Sequence, residues 1–472
     1  MENNNQLLKA GSISVSPENV TNDQPFASGT ANSQYFRIPS LITLPDGTIV
    51  ASADARWETT EDGGGLDTIA AISKDNGKTW QYSFPIYYPD SNGYAGNKAT
   101  TVIDPVMVRD TDGTIYCMVD MNPSGVTTCY MYTCPGKGTG YVNINGVERL
   151  PLTSVYDNVN TAPTADDVTT YEYYVGDFDE NGFAPVLKRA DDSVSEYGVD
   201  AWFNLYTLKD GVYTADLTQK QVNSDTIIQQ NTFYKDSALH MYNTGYMFMV
   251  SSKDNGETWG NPVILNAQIK RDDEIALLVS PGKGLLTSKG DLLFPFYTHG
   301  YEHEFSSFIY SSDHGKTWKR TNEVNNMASS ESELIELPNG DIRMFYRNYT
   351  GFICYADAVK DENGDYTFGK GQPTEVSVCS TCNVTAINYS KQIDGKPVVV
   401  VACPGGPERR NGKVFGFTLE ADNSMTLIKT YDVPESENGY CYSCIDELPD
   451  GSIALLWEPS HSEIRYLNVK LF

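Results

Sequence analysis

The sequence predicts an all-β protein of the β-propeller kind, interrupted by one small β-rich insertion. Three observations carry that prediction. An octapeptide pattern, S-x-D-x-G-x-T-W, occurs three times, at residues 73–80 (SKDNGKTW), 252–259 (SKDNGETW) and 311–318 (SSDHGKTW). Short apolar runs alternate along the chain between tight turns. The composition, with 31 Tyr, 39 Gly and 12% aromatic residues, favours strands joined by such turns.

The repeats come first because they fix the architecture. Within each octapeptide the aspartates Asp75, Asp254 and Asp313 are placed to accept backbone N–H bonds inside a hairpin turn. Gly77, Gly256 and Gly315 supply positive φ, and Trp80, Trp259 and Trp318 bury a ring against the sheet. A calcium loop needs more oxygen ligands and a closing Glu, which these segments lack. Strands are expected at 40–44, 48–53, 69–73, 114–119, 246–251, 292–297, 307–311, 341–346, 397–402 and 453–457. Turns PDG at 45–47, PNG at 338–340 and PDG at 449–451 each lead into a new alternation. Repeated small antiparallel sheets close naturally into a propeller. The second and third repeats start 59 residues apart and the first and second 179 apart, so the surplus is read as inserted. The domain reading is propeller at 1–133, β-rich insertion at 134–236 and the remainder of the propeller at 237–472.

Sixty-two acidic residues against 34 basic ones give a formal charge of -28, which argues against a nucleic-acid partner. There is no transmembrane run. The start, MENNNQLLKAGS, has no apolar stretch, so the chain as it stands reads as cytoplasmic, the other reading being a secreted or cell-surface protein whose signal has been removed. Nine cysteines include the pairs Cys379/Cys382 and Cys441/Cys444, a spacing that suits zinc, although ordinary thiols are the expectation. No essential disulfide is expected, and the five histidines are not clustered, so no metal or cofactor is expected. A monomer is expected.

The repeats together with YFRIPS at 35–40 resemble the bacterial sialidases, or neuraminidases, in which the octapeptides are called Asp boxes. The resemblance covers nearly the whole chain outside the insertion and implies a six-bladed propeller and an exo-α-sialidase acting on sialylated glycans. In that family three arginines grip the carboxylate of sialic acid. By resemblance they are Arg37 in FRIP, Arg347 closing SESELIELPNGDIRMFYR, and Arg409 in GGPERRNG, matching R-x-N-G. A carboxylate is best met by planar, permanently charged donors, which suits Arg. The acid/base carboxylate of the family follows a D-x-R element. Here 54–56 (DAR) is followed by Asp62, 25 residues after Arg37, with Arg56 counted among the substrate-binding arginines. The stretch WETTEDGGGLD also offers Glu58, Glu61 and Asp67, and the glycines at 63–65 imply a mobile loop.

The family's nucleophile is a tyrosine just before Ser near the C-terminus. GYCYSC at 439–444 places Tyr442 there, with Tyr440 the competitor, and its partner carboxylate resembles Glu331. A carboxylate nucleophile would meet the substrate's own carboxylate as a like charge, whereas a neutral phenol deprotonated by Glu331 as it attacks avoids that repulsion. Glu458 in LLWE resembles the glutamate that braces the first arginine. Some members carry a Trp shortly after the Tyr and release an anhydro-sugar. Here Trp457 lies inside a strand motif with none beyond it, which leans towards retaining hydrolysis. The alternatives are an intramolecular trans-sialidase, a propeller lectin that binds without chemistry, and an exo-glycosidase for a related nonulosonic acid.

Overall fold

The structure is a computed structural model that describes residues 7–15, 23–91, 99–127, 135–221, 224–299 and 304–472; Cys134, the expected start of the insertion, lies outside them. The apolar runs read from the sequence lie on strands, several extending past the expected ends. Tyr35–Thr43 starts before the run at 40–44 and Ile49–Arg56 ends after the run at 48–53, and the extra residues carry Arg37 and Arg56. One short α-helix, Asn266–Ile269, and three 3-10 turns are the helical elements among the described residues.

Four separate antiparallel sheets follow one another through the second half of the chain, between residues 276 and 320, 332 and 377, 385 and 432, and 443 and 469. They are blades of a β-propeller. Before them runs a ten-stranded sheet. Its first part is the meander Tyr35–Thr43, Ile49–Arg56, Leu66–Ser73, Gln81–Tyr87. Its second part is Thr101–Arg109, Ile115–Asn122, Tyr246–Ser252, Val263–Ile264. The two parts are joined by the parallel pairing of Leu66 with Thr101.

Strands Ile115–Asn122 and Tyr246–Ser252 pair directly, Met121 opposite Tyr246, yet 123 residues of chain run between them. That chain builds a seven-stranded sheet of its own and two small hairpins. Its last strand, His240–Met241, lies beyond residue 236 and pairs with Pro151–Thr153 rather than with the propeller. The interior of this region is continuous with the propeller. Leu152, Val186 and Phe233 share one buried cluster with Ile42, Val50 and Phe248.

Each Asp box forms the turn that its residues dictate. Asp75 accepts from the Lys78 and Thr79 N–H groups at 3.1 and 2.9 Å, and the Ser73 hydroxyl accepts from Gly77 N–H at 2.8 Å. Asp254 and Asp313 accept from Thr258 and Thr317 N–H at 2.9 Å. The box glycines have φ of 80°, 89° and 74°, and all three tryptophans are buried. Each box also docks on another strand group. His314 C=O accepts from the Tyr116 hydroxyl at 2.9 Å, and Gly256 C=O accepts from Ser83 at 3.1 Å. Asn76 accepts from the Tyr466 hydroxyl at 2.7 Å, so the first box reaches the last sheet and closes the ring.

Candidate active site

The inner strand Tyr35–Thr43 loses register with its neighbour between Arg37 and Ser40. The cause is Ile38, whose φ of 62° is unusual for a β-branched residue and more so before a proline. Its N–H donates to Glu458 Oε1 at 2.6 Å, which holds the strained turn. The turn aims Arg37 into the central cavity, where its guanidinium lies 3.2 Å from Glu458 and 3.4 Å from Asp62. Burial works against that charge, but the carboxylates of Glu458 and Asp62 overcome it and hold the Arg37 pKa above its ordinary value.

Asp54 and Arg56 alternate onto one face of the next strand. Arg56 is fully buried between Asp54 at 2.8 Å and Asp62 at 2.8 Å, and it also donates to the carbonyls of Thr60 and Glu61 at 2.7 and 2.9 Å. It therefore grips the Asp62 loop from below. Thr127 donates to Asp62 C=O at 2.7 Å and Thr101 to Gly64 C=O at 2.9 Å. The glycines at 63–65 are buried, so the loop expected to be mobile is tied down on both sides. For the Asp62 carboxyl, burial pushes up, yet Arg56 and Arg37 outweigh it and hold the group below the ordinary carboxylate range. Its side chain is 53% exposed, at the mouth of the cavity. The rival Asp67 is turned away, accepting from Trp57 Nε1–H and Tyr88 N–H at 2.9 and 2.8 Å, and burial pushes its pKa well up.

Tyr442 sits buried on the opposite wall. Its hydroxyl donates to Glu331 Oε1 and accepts from Arg347 Nη1 at 3.2 Å, while Arg347 Nη1 also lies 3.0 Å from Glu331 Oε2. The guanidinium carbons of Arg37 and Arg409 stand 5.3 and 5.6 Å from the Tyr442 ring centre. Three cations thus surround one phenol. Burial and the Glu331 charge push the phenol well above its ordinary pKa, so it rests neutral, and Arg347 pulls the other way. Glu331 pulls Arg347 above its own ordinary value. Tyr440, the competitor, stacks on Trp457 at 5.4 Å away from the cavity. A side chain at Gly412 would stand 2.1 Å from the Tyr440 ring, which is why the turn after Arg409 ends in glycine. Arg410 pairs with Glu408 at 2.7 Å and does not line the cavity.

These side chains enclose a cavity of about 230 Å³. Arg37, Asp62, Glu331, Arg347, Arg409 and Tyr442 all line it, whereas Arg56 and Glu458 stand behind it. Ile103, Asp104, Leu278, Tyr297, His299, Glu304 and Tyr349 also line it and were not read from the sequence. Asp104 had a legible sign. It precedes a proline in an inner strand, as Ile38 does, with φ of 65° at a break in register. Burial and the nearby Asp54, Asp120 and Glu331 carboxylates push its carboxyl well up. Two larger cavities, of about 700 and 520 Å³, meet at residues 283–286 and contain none of these groups. Among the described residues no group of three or more His, Cys, Asp and Glu side chains is placed to hold a metal ion, and no helix is long and apolar enough to cross a membrane.

A buried phenol–carboxylate pair ringed by arginines, on a propeller studded with Asp boxes, defines a class: the sialidase-like propellers. Comparison with known proteins agrees. Residues 227–452 match the BNR repeat-like domain. The chain is 30% identical to the anhydrosialidase of Macrobdella decora over 96% of its own length and 61% of that protein's, and 29% identical to sialidase B of Streptococcus pneumoniae over 98% and 68%. Among solved structures, the intramolecular trans-sialidase from Ruminococcus gnavus superposes with a TM-score of 0.77 at 28% identity, covering 95% of this chain and 96% of that one. The leech intramolecular trans-sialidase superposes with a TM-score of 0.80 at 27% identity, covering 97% and 70%. The chain carries a BNR repeat-like domain and is similar to sialidases of the Asp-box kind. It spans 61% of the leech relative's length.

Proposed function

We propose that the protein is an exo-α-sialidase that releases terminal α-linked sialic acid from glycoproteins, glycolipids and oligosaccharides through a sialyl–Tyr442 intermediate. The observation that carries this is the Tyr442–Glu331–Arg347 contact set inside an arginine-ringed cavity. Arg37, Arg347 and Arg409 hold the substrate carboxylate by charge-assisted hydrogen bonds. Tyr442 Oη attacks the anomeric carbon, its proton passes to Glu331, and Arg347 steadies the developing phenoxide. Asp62 gives its proton to the departing glycosidic oxygen. Arg56 and Arg37 keep Asp62 ionised; a substrate carboxylate seated on Arg37 cancels part of that field, so Asp62 takes up the proton it needs as an acid. It then returns as the base in the second displacement, and two inversions give retention. Arg56 acts by placing Asp62, and Glu458 by placing Arg37. A lectin would use the arginines but has no need of the hydrogen-bonded Tyr442 and Glu331.

Two fates are open to the intermediate. Attack by water gives hydrolysis, favoured here because no tryptophan is among the described residues that line the cavity. Attack by the bound sugar's own hydroxyl gives an anhydro-sugar, a reading favoured by the likeness to the leech anhydrosialidase and the Ruminococcus gnavus intramolecular trans-sialidase. Proton NMR of 3'-sialyllactose turnover separates them. The α-anomer of free sialic acid appears first under hydrolysis; an anhydro product selects the second fate, and a first-formed β-anomer defeats double displacement. The same reading counts six blades by dividing the ten-stranded sheet at the parallel pairing of Leu66 with Thr101, takes 134–236 as an insertion domain near the rim, and takes the protein as a monomer without metal or cofactor.

A further inference from the structure

We infer that Tyr349 is the platform on which the sugar next to the cleaved sialic acid stacks, which makes it a specificity-determining residue for glycan substrates. This rests on the sialidase reading above. Tyr349 lines the cavity, yet at 67% it is the most exposed large apolar side chain among the described residues. An isolated exposed apolar residue is ordinary, but this one is held out by a built loop. The buried Asn348 donates its side-chain amide to the carbonyls of Tyr346 and Phe352 at 3.0 and 3.1 Å. Its side-chain oxygen accepts from Thr350 N–H and Oγ1–H at 2.9 and 2.7 Å. Its N–H donates to Ser380 C=O at 2.8 Å, and Gly351 N–H to the Ser380 hydroxyl at 2.9 Å. The backbone on both sides of Tyr349 is therefore fixed while, among the described residues, its ring has no stacking or hydrogen-bond partner.

The size of the cavity says what the ring meets. Ligand pockets usually run from about 300 Å³ upward, and this one holds about 230 Å³. It has room for one sugar residue. Everything past the glycosidic oxygen lies outside, at the mouth where Asp62 is half exposed. A pyranose presents an apolar C–H face there, and a rigid aromatic with two torsions covers it at little entropic cost.

The test compares kcat/KM for 3'-sialyllactose and for methyl α-sialoside, two substrates with alkoxide leaving groups that differ in the adjoining sugar. Tyr349→Ala should lose roughly three- to tenfold on sialyllactose, through KM, and nothing on the methyl sialoside. Tyr349→Trp should keep both activities. Phe352→Ala, an exposed aromatic of the same loop that does not line the cavity, should leave both unchanged. No loss on either substrate, or an equal loss on both, overturns the inference, the second because the ring then touches sialic acid itself. A wild-type protein that cleaves neither substrate defeats the sialidase reading and takes this inference with it.

Discussion

Ile38 and Asp104 perform one operation in two strand groups. Each precedes a proline, each has positive φ at a break in register, and each donates its N–H to a buried carboxylate, Glu458 at 2.6 Å and Asp54 at 3.0 Å. The bend aims a side chain into the cavity. Glu458 thus holds both the bend and Arg37, and its removal leaves a buried cation underpaired. Glu458→Ala should cost about 3–5 kcal/mol of stability, read by denaturant unfolding, and raise KM. Arg409→Ala should lower kcat/KM more than tenfold, about 1.5–3 kcal/mol, while Arg410→Ala stays near wild type, with both variants equally stable. The pH profile follows from Asp62. It must be protonated when substrate is bound, so kcat falls as pH rises past its pKa in the complex, and Asp62→Asn should lose that alkaline limb. The charged site residues were legible because each sits in a short motif with fixed neighbours. Tyr297, His299, Glu304 and Tyr349 were not, because only the folded ring brings them to the cavity; Asp104 showed only as the residue before a proline, a sign that it shares with Ile38 and that becomes telling once its positive φ is seen.

At the scale of elements, the Asp box is a docking device as much as a turn. A Cβ on Gly77 would stand 2.3 Å from the Tyr466 ring, and one on Gly315 3.1 Å from Tyr116. The Gly77 contact joins the first strand group to the last sheet, so it bears on closure of the ring. Gly77→Val adds this clash to an unfavourable φ of 80° and should lower Tm by several degrees, roughly 2–4 °C per kcal/mol lost in a chain of this size, with KM unchanged. The boxes were plain in the sequence because five of eight positions recur. Their docking partners were not, since Tyr116, Tyr466 and Ser83 belong to no motif. The insertion is another such case. The spacing of the boxes marked it as inserted chain, but Leu152, Val186 and Phe233 share the core of Ile42, Val50 and Phe248. Excising 134–236 with a Gly/Ser linker strips that face, and the shortened chain should be markedly less stable than the whole by thermal unfolding.

Across the whole molecule a protein of net charge -28 gathers three arginines around one small cavity. The acids that surround them set the pH response of stability. Burial pushes up the carboxyls of Asp67, Asp104, Asp120 and Glu333. A folded pKa above the unfolded one means that the native state binds more protons, so stability falls as pH rises through that range. The box aspartates and Asp62 are held low instead, and their contribution is lost as pH falls below about 4. Tm should therefore be higher near pH 5.5 than at pH 8 and drop again in stronger acid. The propeller was legible at this scale from the boxes and the strand periodicity. The grouping of strands was not, because box spacings of 59 and 179 residues conceal a long excursion and one parallel pairing fuses two meanders. The central claim is that Tyr442 becomes covalently sialylated. A 3-fluorosialosyl fluoride tests it, because its fluoride leaves readily while the ring fluorine slows both oxocarbenium-like steps, so the intermediate accumulates. Peptide mass spectrometry after acid quench should then place one fluorosialyl group on Tyr442 and none on a Tyr442→Phe variant. A wild-type protein that turns the reagent over with no adduct on Tyr442, or with the adduct on another residue, would contradict the account.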